Sequence, residues 1–229
     1  MRSDRELTMK KYDVKSLSFE NSLRKYIANL GNKNIRVLDV GGGTGLFWKD
    51  ILNEFPEIEL TICDPFDPKP LQDYSHKRIQ SGFQEALPRI KSQEFDLVTA
   101  IDLLEHLDFS SGYTLLYEMQ RISKITSIIY TPNGFVWQPP SRNNPFNAHV
   151  SGWTIKKLRD FGFQKVFGHV GLKILFGPYS LPINRPKIRI LSYILERIGA
   201  EISQLLPSQA FALSAWMDSD RVETIDQAR

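Results

Sequence analysis

The sequence predicts an α/β domain: a doubly wound, mostly parallel seven-stranded sheet with helices on both faces and a helical insertion before the last strand. Three observations carry that prediction. Short β-branched runs alternate with helical patterns, the order that builds a parallel sheet. The first run leads directly into a glycine-rich turn, Gly41-Gly42-Gly43-Thr44-Gly45. A chain of 229 residues, 41% hydrophobic and 24% charged, is long enough for one large core and far from the composition of disordered chains.

The runs Ile35–Val40, Glu59–Cys63, Phe95–Ala100 and Ser127–Thr131 read as strands buried on both faces, with a weaker strand at Arg78–Gln80 just before Phe83. Between them, Leu46–Phe55, Pro70–His76 and Gly112–Lys124 show helical spacing, and residues 1–34 form an N-terminal helical segment. Pro132-Asn133-Gly134 and the proline-rich stretch from Gln138 to Pro145 interrupt regular structure, which predicts a long loop of the kind that forms lids and binding surfaces. Helical periodicity resumes at Trp153–Phe161, with Thr154 near its start and Gly162 as its stop. Lys165–Val170 and Phe211–Met217 are late strands whose direction the sequence leaves open. The insertion at 172–209 contains a helix at 187–206 with an apolar stripe through Leu191, Ile194, Leu195, Ile198, Ile202 and Leu205. Such a stripe packs on its own domain, pairs with a second copy, or, flanked by Lys187, Arg189 and Arg197, lies on a membrane surface.

Composition removes several classes of function. The single cysteine, Cys63, excludes a disulfide framework and a multi-cysteine zinc or iron–sulfur site, and four histidines leave little for a histidine-based metal centre. The charged start of the chain runs into no apolar signal segment, and no apolar run is long enough to span a bilayer. A cytoplasmic location is expected, with peripheral membrane contact left open. The net charge is +3, yet Thr154–Arg197 carries nine Lys/Arg against Asp160 and Glu196, or +7, which leaves −4 elsewhere. That basic third attracts an anionic substrate, a phosphate-bearing surface or nucleic acid.

The segment Val37–Phe47 carries the chemistry. A buried strand runs into glycines that turn sharply and let a ligand approach the backbone with no Cβ in the way. The spacing is G-x-G-x-G, with Leu46 where a dinucleotide fingerprint places its last glycine and no Gly-Lys-Ser/Thr ending, so a pyrophosphate ligand is disfavoured. From Ile35 to Phe163 the sequence resembles the S-adenosylmethionine-dependent methyltransferases with the seven-stranded Rossmann-like fold. The resemblance implies S-adenosylmethionine as cofactor and S-adenosylhomocysteine as product. It places Gly41, Gly43 and Gly45 beneath the cofactor, Asp39 near its amino-acid end, and Asp64 on the ribose hydroxyls. Asp102, with Glu105 and His106 in Ala100–Leu107, matches the segment facing the reaction site. Phe83 stands where many relatives carry the acid that bonds the adenine amino group; an aromatic ring there stacks or wedges instead.

Methyl transfer is an in-line displacement, so the protein must hold the nucleophile near the methyl and remove a proton when the nucleophile is a hydroxyl. His106 and His149 are the candidate bases, because histidine titrates near neutrality. Relatives in the polysaccharide and lipid branch often show a turn like Thr131-Pro132-Asn133-Gly134, then a stretch like His149-Val150-Ser151-Gly152-Trp153, then a helix ending like Phe161-Gly162-Phe163. The signature common in base-amino methylation of nucleic acids, Asn/Asp-Pro-Pro-Tyr/Phe, is replaced by Asp102-Leu103-Leu104. The expectation is therefore O-methyl transfer to a small, glycan- or lipid-linked acceptor. Phe135, Trp137, Arg142 and Phe146 in the long loop suit a sugar or an anionic aromatic, and equally an RNA base. An RNA methyltransferase is one alternative, and a non-catalytic cofactor-binding scaffold another. The local spacing of Asp102, Glu105 and His106 is weak as a metal signature, and no metal is assigned. The whole chain reads as one domain: a core at 35–131, an acceptor loop, helix and strand at 132–171, the insertion, a last strand at 210–217 and a tail.

Overall fold

A computed structural model describes residues 19–31, 34–66, 76–140, 145–172 and 205–219. Seven strands form one sheet: β1 Arg36–Val40, β2 Glu59–Cys63, β3 Lys77–Ile79, β4 Phe95–Ile101, β5 Ser123–Pro132, β6 Lys165–Leu172 and β7 Ala210–Asp218. Their order is β3-β2-β1-β4-β5-β7-β6. The first five run parallel, and β7 is inserted antiparallel between β5 and β6, which settles the direction of the two late strands. The expected doubly wound, mostly parallel sheet is present. The chain builds outward from β1 through β2 to β3 and then crosses back to β4, so the crevice between the carboxyl ends of β1 and β4 is the topological switch point where ligands bind in such sheets.

Both sheet faces are covered because successive strand residues point to opposite sides. Val37 and Leu97 join the cluster beneath α1 (residues 19–30), whose Phe19, Leu23 and Ile27 recur every fourth position, and α2 (Lys49–Glu54), which follows a single turn at Leu46–Trp48. Leu38 and Val98 join the opposite cluster, beneath α3 (Phe83–Ala86), α4 (Phe109–Ile122) and α5 (Ile155–Phe161). Helix α4 starts at Asp108, whose side chain accepts from the Ser111 N–H. It stops at Ile122 rather than running on to Lys124, because Ser123 already takes extended geometry and opens β5. That strand is longer than the five residues expected. Helix α5 starts on the Thr154 cap, which accepts from the Lys157 N–H, and ends at Gly162, whose φ of 128° favours glycine. The expected helix at Pro70–His76, apart from His76 itself, and most of that at 187–206 lie outside the described residues. Among the described residues no helix is long and apolar enough to cross a membrane.

Trp153 ties the two halves of the molecule together. Its ring is fully buried against α4, where a Cβ added at Gly112 would lie 2.5 Å from the ring edge. Gly112 is therefore kept for space, in a helix where alanine would otherwise be favoured by ~1 kcal/mol. Gly112→Ala is expected to destabilise the fold by ~1–3 kcal/mol through overpacking, read by chemical denaturation. A variant more stable than wild type would show that Trp153 is free to move.

Candidate functional site

The glycine turn follows β1 at the switch point. Gly41, Gly43 and Gly45 all have positive φ, at 74°, 53° and 80°. Gly41 backs onto Leu103, where a Cβ would come within 2.8 Å, and this joins the turn after β1 to the turn after β4. Gly43 differs, having open space where its Cβ would stand. Its N–H donates to Asp64 Oδ2 at 2.9 Å, while Asp64 Oδ1 accepts the Phe66 N–H at 2.8 Å. Arg78 donates to the Gly43 carbonyl at 2.7 Å from β3 and completes the brace. Each Asp64 oxygen thus spends one lone pair on the loop and keeps acceptor capacity for a diol.

Asp39 is buried under the same turn and accepts the Thr99 hydroxyl at 2.6 Å. Burial pushes its carboxyl up to about 7. Thr99 and the Trp48 indole, whose N–H falls outside hydrogen-bonding geometry, pull the other way, and the nearby Asp64 charge adds to the rise. Phe83 is buried at the start of α3 in the cluster that also holds Val40, Cys63 and Ala86, so its side chain belongs to the core. Gln84 beside it is exposed, and Ser81 and Gly82 are half-buried.

Beyond β4 the chain passes Asp102, exposed and with a φ of 48°, into a single turn at Leu104–His106. Positive φ in an aspartate is uncommon and is found where a site holds the backbone in place. The loop leaving β5 returns onto this turn. The Val150 and Ser151 N–H groups donate to the Glu105 carbonyl at 2.9 and 3.2 Å. The Ser151 hydroxyl and the Trp153 indole N–H donate to the Leu104 carbonyl at 3.2 and 3.1 Å. Upstream, the Thr131 hydroxyl donates to Glu105 Oε2 at 2.9 Å, and the Asn133 amide reaches the carbonyls of Pro207, Ser208 and Ala210 ahead of β7. Gly134, at a φ of 90°, donates its N–H to the Trp153 carbonyl.

This docking brings His106 and His149 together, with ring centroids 4.8 Å apart and planes at 71°. Nδ1 of His106 lies 3.0 Å from the Ala148 carbonyl and Nδ1 of His149 lies 2.7 Å from the Val136 carbonyl. A carbonyl only accepts, so in both neutral rings Nδ1 carries the proton and Nε2 carries the lone pair. The N-cap of the next helix belongs to Thr154, so His149 is not spent on capping. Arg142 lies outside the described residues, while Phe135, Trp137, Phe146 and Val150 are exposed around the loop.

Tyr130 is marked by no sequence motif. Its hydroxyl is buried with no hydrogen-bond partner among the described residues, and burial, followed by the charges of Asp102 and Glu105, raises its pKa well above the ordinary value. An orphaned hydroxyl, open space above Gly43 and a diol-capable carboxylate at the switch point together fit a bound S-adenosylmethionine.

The fold is that of the Rossmann-like S-adenosylmethionine-dependent methyltransferases, and the chain is similar to them in sequence over its first half. A methyltransferase-domain family model matches residues 15–126. The ribosomal RNA small subunit methyltransferase G of Mesomycoplasma hyopneumoniae is 27% identical over 149 residues, covering 62% of this chain and 67% of its own. A SAM-dependent methyltransferase from Archaeoglobus fulgidus superposes with a TM-score of 0.55 at 18% identity, covering 94% of this chain and 100% of its own. The plantazolicin methyltransferase BpumL, solved with S-adenosylhomocysteine, superposes at 0.51 with 16% identity, covering 94% and 86%. At such identities the solved structures speak for the fold.

Two buried groups set opposing pH dependences. Asp39 has a folded value of about 7 against an ordinary 3.8, so its contribution is complete below about pH 4 and is lost as pH rises towards 7. His169, buried and 2.7 Å from the Ser214 hydroxyl, is pushed down by burial from 6.5 to about 4, so its contribution is lost as pH falls through that window. Between about pH 4 and 6.5, the melting temperature of Asp39→Asn relative to wild type should rise with pH, and that of His169→Gln should fall. Shifts of several degrees are expected, at ~2–4 °C per kcal/mol for a domain of this size. Slopes of the same sign would contradict the assignment.

Proposed function

We propose that the protein transfers a methyl group to a hydroxyl of a small, glycan- or lipid-linked acceptor. The observation that carries this reading is the His106–His149 pair, anchored at both Nδ1 atoms so that two imidazole lone pairs stand by the switch point. Bound S-adenosylmethionine supplies an electrophilic methyl on a sulfonium sulfur. The chain's own residues bind, orient and handle the proton. Asp64 takes the ribose hydroxyls on the lone pairs left free by Gly43 and Phe66, and the glycine turn lies under the cofactor with Gly43 admitting close approach. Asp39 lies near the cationic amino-acid end, and Tyr130, close to the charges of Asp102 and Glu105, holds a hydroxyl that a ligand can satisfy. Asp102 sits between the cofactor and the reaction site. Phe83 supports the adenine corner from beneath, through the core.

The acceptor hydroxyl then approaches on the Nε2 side of the pair, and its proton passes to an imidazole. Trp137 and Phe146, 66% and 69% exposed, offer faces on which a sugar or an aromatic ring stacks. The same faces suit a base, and the 27% identical relative is named as a ribosomal RNA methyltransferase, so RNA is the second reading.

Asp64→Ala should weaken S-adenosylhomocysteine binding about a hundredfold, two charged-group hydrogen bonds at ~1.5 kcal/mol each, with the circular dichroism spectrum unchanged. Calorimetry showing undiminished binding would remove Asp64 from the ribose. The acceptor class is tested by transfer of labelled methyl into glycolipid and RNA fractions side by side. Label in the glycan-bearing fraction, lost in His106→Ala at unchanged cofactor affinity, supports the first reading. Label in RNA, with binding that weakens steeply with salt, transfers the assignment to the second.

A further inference from the structure

We infer that Glu105, His106 and His149 form a binding site for a divalent first-row transition cation; the inference rests on the hydroxyl-acceptor reading and assigns that site its electrophile. One donor atom from each residue lies within 4.8 Å of the other two, with Glu105 buried and both histidines partly exposed. Ligands ~2.0–2.2 Å from a common ion stand closer than that, and a movement of roughly an ångström in the side chains closes the triangle.

A second observation points to a ligand. Histidines that bind metals through one ring nitrogen characteristically donate the other N–H to a backbone carbonyl or carboxylate, which fixes the ring and raises its basicity. Both rings here do so, His106 to Ala148 and His149 to Val136, and the third candidate is oriented by the Thr131 hydroxyl on Oε2. Two imidazoles and one carboxylate leave coordination positions open, as catalytic metal sites do; imidazole favours Zn²⁺ or Fe²⁺, the carboxylate admits Mn²⁺, and Mg²⁺ and Ca²⁺ prefer all-oxygen shells. The local spacing of Asp102, Glu105 and His106 gave no reason to assign a metal; the third ligand arrives from the far side of the long loop.

With the cation bound, the imidazole lone pairs are committed to it, and the acceptor hydroxyl occupies an open position and becomes more acidic. Its proton leaves to water. The oxygen then takes the methyl carbon as the carbon–sulfur bond breaks, giving one methyl ether, one thioether and one released proton.

The test is a titration of the untagged full-length chain, stripped with chelator and free of cofactor, with Zn²⁺, Mn²⁺ and Mg²⁺ by calorimetry, and with Co²⁺ by visible absorption. One Zn²⁺ or Mn²⁺ per chain is expected at micromolar affinity, with weaker Mg²⁺ binding. His149→Ala, on a partly exposed residue, should lose at least tenfold in affinity and change the Co²⁺ spectrum. No stoichiometric binding, or binding that His149→Ala and His106→Ala leave unchanged, overturns the site and returns the pair to the role of base. S-adenosylhomocysteine binding, measured separately on the same samples, reports whether each variant is folded and judges the methyltransferase reading independently of the metal result.

Discussion

The carbonyls of Leu104 and Glu105 are the hinge of this molecule. They lie in the single turn after β4, where the Leu107 N–H reaches the Leu104 carbonyl, and a buried carbonyl without a donor costs free energy comparable to a lost hydrogen bond. The returning segment supplies further donors: the backbone of Val150 and Ser151, the Ser151 hydroxyl and the Trp153 indole. Glycines then follow from packing. Gly112 makes room for the tryptophan ring, and Gly152 lies where a Cβ would be 2.3 Å from the Phe135 nitrogen. The same docking brings His106 and His149, on different loops, into ring contact.

Electrostatics at the neighbouring turn follows the same logic of local satisfaction. Asp64 accepts backbone N–H groups from Gly43 and Phe66, whereas Asp39, sealed beneath the turn with one hydroxyl donor, is pushed towards the neutral form. Two buried acids on adjacent strand ends thus differ in their donors, backbone N–H groups for Asp64 and a single hydroxyl for Asp39. A cationic group arriving near Asp39 favours its ionised form, and this couples ligand binding to proton release.

Much of the architecture was legible because parallel strands buried on both faces leave continuous apolar runs, and the turn after β1 needs glycines in an order few other structures need. The motif from His149 to Trp153 was legible as a pattern but not as a mechanism, since the partner of each donor is a backbone carbonyl, which no sequence marks. Tyr130 was silent for a similar reason: one tyrosine in an apolar strand looks like core until its hydroxyl is seen without a partner. Phe83 was marked by position, yet its direction depends on how α3 begins after Gly82, and the ring points into the core. The end of α4 was misplaced by two residues because Ser123 and Lys124 are compatible with a helix locally, while pairing of β5 with β4 and β7 draws them into the sheet.

Loop docking fixes both imidazoles so that, in the neutral ring, Nδ1 is protonated and Nε2 carries the lone pair. Nitrogen-15 NMR of the histidine side chains, in the metal-free protein at neutral pH, reads this directly, with His106→Gln and His149→Gln for assignment. The account predicts that both rings show a protonated Nδ1 and an unprotonated Nε2. A ring found with its proton on Nε2 would contradict it, because that ring could not donate to the Ala148 or Val136 carbonyl.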